Sequence, residues 1–238
     1  MTFPEDCLQS VVGGTNWWVR DETQRVSRGA LLFAFAPHVD QTPYGLEPVG
    51  RKEATSHDSA VVKVAPLKVD QLLKPTALPV AAMPLHEGEV WAAYRAKKRP
   101  CLVMCCDHPT VDTALIRGMP KNSTAATMLV APYYGAGRHG HRAGYRPEFV
   151  ERVRHCEYPQ FVWDHLPFPG GEESILRLDH LQPVGAHYAA YKLSGFKLSE
   201  AAMEVIDEIL SWLVWGGVPA DSLVALYRQE LEELLEKK

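Results

Sequence analysis

A chain of 238 residues, 46% hydrophobic and 23% charged, is long enough for one large or two small domains with a real core. A formal net charge of −4 excludes a globally basic nucleic-acid binder, so any such surface has to be a local patch. With neither a basic-then-apolar leader nor an apolar run near about 18 residues, the sequence predicts a cytoplasmic protein with no membrane partner.

Residues 1–28 show no regular period. Trp17 and Trp18 anchor this arm, while Gly13-Gly14 interrupts any repeat. Residues 29–35 (GALLFAF) predict a buried strand stopped by Pro37. Residues 40–58, rich in Gly, Pro and charge, predict a loop. Residues 59–64 (SAVVKV) predict a second strand, ended by Pro66, and residues 68–73 a single helical turn. Three prolines within residues 75–84 leave no room for a regular element and predict a linker.

A second unit opens at His86. Residues 88–94 predict a strand and residues 95–98 a short basic turn. Residues 99–106 are almost wholly apolar, which predicts a strand buried on both faces. Three of the chain's five cysteines (Cys101, Cys105, Cys106) crowd this strand, and reduced thiols fit that odd number better than a disulfide framework. Residues 127–132 predict a third strand. The excursion 135–171 then carries five arginines and three histidines between Arg138 and His155, and ends on Phe161-Val162-Trp163, an edge strand. Its basic part, with Tyr145 inside it, suits either a phosphate-tracking loop with a stacking ring or a solvated insertion.

Residues 172–184 read as one strand. Leu176 and Leu178 face one way, and Arg177 and Asp179 the other, because successive side chains alternate along a strand. The last two then stand roughly 6.6 Å apart, a spacing that straddles a phosphate or makes an ordinary exposed ion pair. Leu198-Ser199 caps a helix with Met203, Ile206, Leu210 and Leu213 at helical spacing. Gly216-Gly217 ends it, and Pro219 opens a last amphipathic helix with a leucine stripe opposite Glu230, Glu232, Glu233 and Glu236. The resulting division is an extension over residues 1–84, a barrel domain over 85–215 and a terminal helix over 216–238. Arg28-Gly29 echoes Glu87-Gly88, and Val64-Ala65-Pro66 echoes Val130-Ala131-Pro132, as a diverged, shortened duplicate would.

Three motifs stand in a set order: Gly88-Glu89-Val90-Trp91, Arg99-Pro100-Cys101-Leu102-Val103, and Glu173-Ser174-Ile175-Leu176-Arg177-Leu178-Asp179-His180-Leu181. Val130-Ala131-Pro132 lies between the last two, and the helix behind Ser199 follows. In this arrangement residues 86–213 resemble the PemK/MazF family of toxin endoribonucleases, with its opening strand, R-P-x-L-V second strand, R-x-D strand and final helix. The resemblance implies a mainly β fold with α, a small SH3-like β-barrel of PemK/MazF type with C-terminal helices, here carrying a β-containing N-terminal extension. It also implies cleavage of single-stranded RNA with no metal or cofactor. The 2′-hydroxyl attacks the neighbouring phosphate, leaving a cyclic phosphate and a 5′-hydroxyl, a step that needs a base, an acid and charge stabilisation.

By position in that family Asp179 is the base and Arg177 the acid, although a guanidinium is chemically better suited to holding charge. Glu89 orients Arg177 or shares the proton work, and Arg99 holds phosphate or merely ends a strand. Tyr133 and Tyr134 stand where the family has a phosphate-bonding Thr or Ser, offering a hydroxyl or a stacking ring. Arg138 and Arg142 are the further RNA contacts expected of the excursion. The family's long loop between its first two strands, which covers RNA and engages antitoxin, is cut here to residues 94–98. That loss, with the missing hydroxyl residue and the unmatched residues 1–84, motivates a competing expectation: a catalytically inactive module that binds a protein partner in a regulatory or defence system. Expected partners are therefore RNA, an antitoxin or other regulatory protein, and a second copy in a homodimer. Cys105-Cys106-Asp107-His108 and Arg138-His139-Gly140-His141 lack the paired spacing of a zinc site, so no metal is assigned.

Overall fold

The computed structural model describes residues 3–13, 17–70, 80, 82–106, 109–124, 126–137, 144–169 and 173–236. In chain order the elements are α1 (Leu8–Val11), β1 (Trp18–Arg20), β2 (Ala30–Pro37), β3 (Tyr44–Gly50), β4 (Val61–Pro66), β5 (Trp91–Ala93), β6 (Ala96–Cys105), α2 (Thr113–Ile116), β7 (Thr127–Gly135), α3 (Pro147–Arg154), β8 (Phe161–His165), β9 (Glu173–Arg177), β10 (Gln182–Gly185), β11 (Tyr191–Leu198), α4 (Glu200–Trp215) and α5 (Leu223–Glu236). The chain divides into two compact units, Met1–Phe35 with Lys98–Lys238, and Ala36–Lys97. The fold is mainly β with helices. An antiparallel sheet in the order β1-β11-β2-β6-β7-β9-β8, with β10 also on β7, curls into half a barrel, and β4-β3-β5 makes a second, three-stranded sheet.

β7 is the hub of the main sheet. One edge bonds β6, through Cys101↔Pro132 and Val103↔Val130. The other edge is shared by two strands in succession, β10 along Thr127 to Val130 and β9 along Tyr133 to Gly135. These two are the halves of what reads in sequence as one strand over residues 172–184. A 3-10 turn at Leu178–His180 separates them. The period-2 pattern does not reveal the turn, because Leu178 still points into the core and Asp179 still points out. The basic turn expected at residues 95–98 is also not a turn: from Ala96 onward those residues already belong to β6. Nothing there supplies the Gly or Asn that a tight turn needs.

The central strands are apolar at successive positions because both faces of the sheet are covered. Leu31, Leu102, Ala131 and Leu176 join Ile206 and Ile209 of α4 in one core cluster. Their neighbours Leu32, Val103 and Val130 join a second cluster on the opposite face. The expected burial of residues 99–106 on both faces is thus met at Cys101, Leu102 and Val103, all fully buried. Ser199 caps α4 by accepting from the Ala202 N–H, and Gly216, at φ 79°, ends it.

In the second unit, β3 occupies the segment expected to be a loop, with Pro48 buried inside it. β5 pairs with β3 through Leu46↔Trp91, so the segment expected as the opening strand does not lie beside residues 99–103. The strand beside them is β2. Residues 1–84 are therefore not one extension: β1 and β2 are strands of the main sheet, and residues 36–97 are inserted between β2 and β6. The His38 N–H donates to the Arg95 carbonyl at 2.8 Å, which pinches the insertion at its root. Among the described residues no helix is long and apolar enough to cross a membrane.

Candidate functional site

Two adjacent tyrosines on β7 point to opposite faces, as strand geometry requires. Tyr133 turns inward and is 2% exposed, and its hydroxyl donates to Asp164 of β8 at 3.0 Å. Tyr134 turns outward. The Arg99 guanidinium of β6 lies over its ring at 3.8 Å and the Arg177 guanidinium of β9 at 5.6 Å. Of the two residues expected to touch RNA, Tyr133 is therefore a core residue, and Tyr134 is the one set between two cations.

Arg177 is the centre of this cluster. Its Nε donates to Asp179 Oδ1 at 2.7 Å and its Nη2 to Oδ2 at 2.5 Å, a bidentate clasp. Its Nη1 lies 3.5 Å from the Tyr145 hydroxyl, and the guanidinium packs at 4.8 Å over Phe161, its cross-strand partner. Burial works against the cation, but the bonds to Asp179 and Tyr145 outweigh it and raise the Arg177 pKa above its already high ordinary value. The spacing expected to straddle a phosphate thus closes on itself, because the 3-10 turn swings Asp179 back toward Arg177. The side chains of Arg177, Asp179 and His180 remain 18%, 29% and 17% exposed.

His180 completes the group, and its protonation follows from its neighbours. Its Nε2 lies 2.8 Å from Arg177 Nη2, and a guanidinium only donates, so Nε2 accepts. The imidazole proton is then on Nδ1, which donates to the Tyr134 hydroxyl at 2.9 Å. A neutral imidazole next to an Arg–carboxylate pair, bonded to a tyrosine whose ring carries a second cation, Arg99, is equipped for proton transfer. Its only signal in the sequence is its place directly after the R-x-D pair.

Asp164, which the sequence reading passes over, is 1% exposed. It accepts from Trp17 Nε1 at 3.2 Å, Trp18 Nε1 at 3.1 Å and the Tyr133 hydroxyl. Burial raises its pKa to about 7 against those donors. Burial, with this carboxylate close by, holds the Tyr133 phenol well above its usual range. The arm carrying the two tryptophans is thereby fastened to the sheet behind the outward-facing cluster, which is the anchoring role expected of them.

Glu89 belongs to the second unit, where it is exposed and its carboxylate accepts from the His86 N–H at 3.0 Å. Among the described residues the polar partners of Arg177, namely Tyr145, Asp179 and His180, come from its own unit. Arg138 and Arg142 lie outside the described residues, as do Asp107, His108, His139 and His141 of the two metal-like motifs. Among the described residues no three His, Cys, Asp or Glu side chains gather as a metal site would need. No protein-family model matches the chain, and a search of the curated proteins returns no match.

Proposed function

We propose that this cluster is the working site of a PemK/MazF-like endoribonuclease that cuts single-stranded RNA without metal. The observation that carries the reading is the convergence of Arg99, Tyr134, Arg177, Asp179 and His180 on one partly exposed patch. An incoming phosphate competes with Asp179 and His180 for the donors of Arg177. Once drawn to the phosphate, the guanidinium no longer neutralises the carboxylate or occupies His180 Nε2. One of these two groups takes the 2′-hydroxyl proton and, once protonated, returns it to the leaving 5′-oxygen directly or through a neighbouring water. Arg177 and Arg99 stabilise the phosphorane, and the Tyr134 hydroxyl, accepting from His180, keeps its own proton to donate.

The strand order supports this reading in a form the motifs alone do not suggest. β2, which follows Arg28-Gly29, lies beside Arg99-Pro100-Cys101-Leu102-Val103, so residues 28–35 take the part of the family's opening strand. The inserted unit, residues 36–97, then stands in the sequence where the family has its long first loop, the one that covers RNA and engages antitoxin. On this reading the loop is enlarged rather than lost, and an antitoxin-type protein engages that unit.

The mutual clasp of Arg177, Asp179 and His180 favours a second reading, a non-catalytic module in which these groups only hold the turn together. One experiment separates the two. Purified protein is incubated with a long unstructured RNA in EDTA, beside His180→Ala, Asp179→Ala and Arg177→Ala. The nuclease reading expects 5′-hydroxyl products, with rates lowered by about 10²–10⁴ in the variants. Absence of cleavage, or variants that cut like the wild type, leaves the binding module.

A further inference from the structure

The sheet face that α4 covers is left open toward one end. β2 carries Leu31, Phe33 and Phe35 on that face, because side chains two apart along a strand share a side. Leu31 is fully buried in the cluster that holds Ile206 and Ile209 of α4, Phe33 is half-buried, and Phe35 is 67% exposed. Phe168 stacks on Phe33 with ring centroids 5.2 Å apart and planes 28° apart. It also meets the edge of Phe196, which stands on β11 opposite Leu31, at 6.3 Å and 81°. Among the described residues no ring or cation stands against Phe35, so a flat ligand can reach it.

Three cations border these rings. The Lys98 ammonium of β6 lies 5.8 Å over Phe33, and the Arg20 guanidinium of β1 lies 5.7 Å over Phe196. Lys192 of β11 is the direct cross-strand partner of Phe33 and shares its face. All three are exposed, and among the described residues none is ion-paired. Asp21, the carboxylate next to Arg20 in the chain, is occupied elsewhere: it accepts from the Thr23 N–H and hydroxyl.

Unpaired cations around a protruding ring suit a polyanion that also carries flat apolar groups. Aromatic side chains at alternate positions on an open sheet face, bordered by Lys and Arg, are how sheet-faced modules hold single strands, the ring taking a base and the cations the backbone. A duplex keeps its bases stacked on one another and offers this ring nothing. A bilayer rewards a broad apolar face, whereas Phe33, Phe168 and Phe196 are half-buried and only Phe35 stands clear. We infer that this face is a binding surface for single-stranded nucleic acid, in which a base stacks on Phe35 and the neighbouring phosphates meet Lys98, Lys192 and Arg20. The surface is separate from the Arg177 cluster. Leu31 shares its core with the inward-facing Tyr133, and the Arg177 cluster gathers around Tyr134 on the other side of the sheet. The inference therefore goes beyond the nuclease reading and does not need it.

The test presents fluorescein-labelled single strands with 2′-deoxy sugars, which 2′-hydroxyl chemistry does not cleave, to the full chain and reads anisotropy over a salt series. Wild type is expected to bind single strands more tightly than the matching duplex. Its log affinity is expected to fall by about 2 per decade of salt, the slope for three phosphates on a single strand. Phe35→Ala is expected to weaken binding about tenfold and Phe35→Trp to restore it, both with the wild-type melting curve because the ring is exposed. Lys192→Gln is expected to flatten the salt slope by about 0.7. Binding that is lost in Arg177→Ala but unchanged in Phe35→Ala would put the strand on the other face and overturn the inference. So would wild type that binds no strand, or that binds vesicles of anionic phospholipid in place of strands. RNA cleavage measured beside these reports separately: Phe35-dependent binding without cleavage keeps the surface and removes the nuclease reading, and cleavage with no Phe35 dependence of binding does the reverse.

Discussion

A guanidinium already gripped by a carboxylate is hard to turn into an acid, and under the proposed nuclease reading this divides the roles of Arg177, Asp179 and His180. The raised pKa of Arg177 reserves it for charge. On the nuclease reading proposed above, proton movement is left to the imidazole beside it and to the carboxylate it shields. Asp164 makes the opposite case, a carboxylate whose surroundings disfavour its charge. Its folded-state pKa of about 7 exceeds the ordinary 3.8, so between those values the folded protein holds a proton that the unfolded chain has released. The stability this group contributes is complete below about pH 4 and is lost as pH rises through about 7, on the order of 4 kcal/mol for an isolated site. Urea midpoints measured from pH 4 to 8 are expected to fall over this window in the wild type. In Asp164→Asn they are expected to lie lower at acid pH and to lose that slope, because an amide N–H then faces an indole N–H. An unchanged slope in the variant would show that another group titrates.

Among the elements, the long apolar strands were the most legible, and they were legible for a physical reason. Residues 30–35, 101–106 and 128–132 are apolar at consecutive positions, the pattern of burial on both faces, and β2, β6 and β7 follow those segments, although Phe35 near the end of β2 is 67% exposed. Segments shaped by their neighbours were hidden. β11 alternates until a bulge between Leu193 and Phe196 breaks its period, and β3 is written with Gly and Pro, which read as loop. The site was half visible: Arg177 and Asp179 announce themselves by spacing, but their partners Tyr134, Tyr145 and Phe161 arrive from three other segments of the chain. One position ties sequence to packing closely enough to predict a cost. Gly29 has φ 82°, and a Cβ there would come within 3.1 Å of Met203 Cγ on α4. Its N–H donates to the Val103 carbonyl and its own carbonyl accepts from Leu198, so the backbone cannot shift to relieve the strain. Gly29→Ala is expected to cost about 1–3 kcal/mol and to lower the melting temperature by several degrees. A melting curve that superimposes on the wild type would refute the claim.

At the scale of the molecule, the strands of the half-barrel sheet are interrupted once along the chain, by residues 36–97. The pinch between His38 and Arg95 lets residues 39–94 be replaced by a short Gly-Ser linker without stretching β2 away from β6. The shortened chain is expected to keep a cooperative melt, and it carries no Glu89. If it still cleaves RNA, the work assigned to Glu89 by resemblance is done within the main sheet; if it unfolds, the inserted unit is part of the main core. The same interruption shapes how the protein is born. β2 leaves the ribosome carrying Leu31 and Leu32, yet both of its neighbours, β6 and β11, are translated later. Between β2 and β6 the growing chain produces β3, β4 and β5, whose pairings need nothing that comes afterwards. Because local pairings form sooner than distant ones, the insertion is the part that can organise during synthesis. In doing so it brings the downstream end of the chain back to the waiting strand, so that β6 can close on that oily edge sooner than it would across an unstructured segment of the same length.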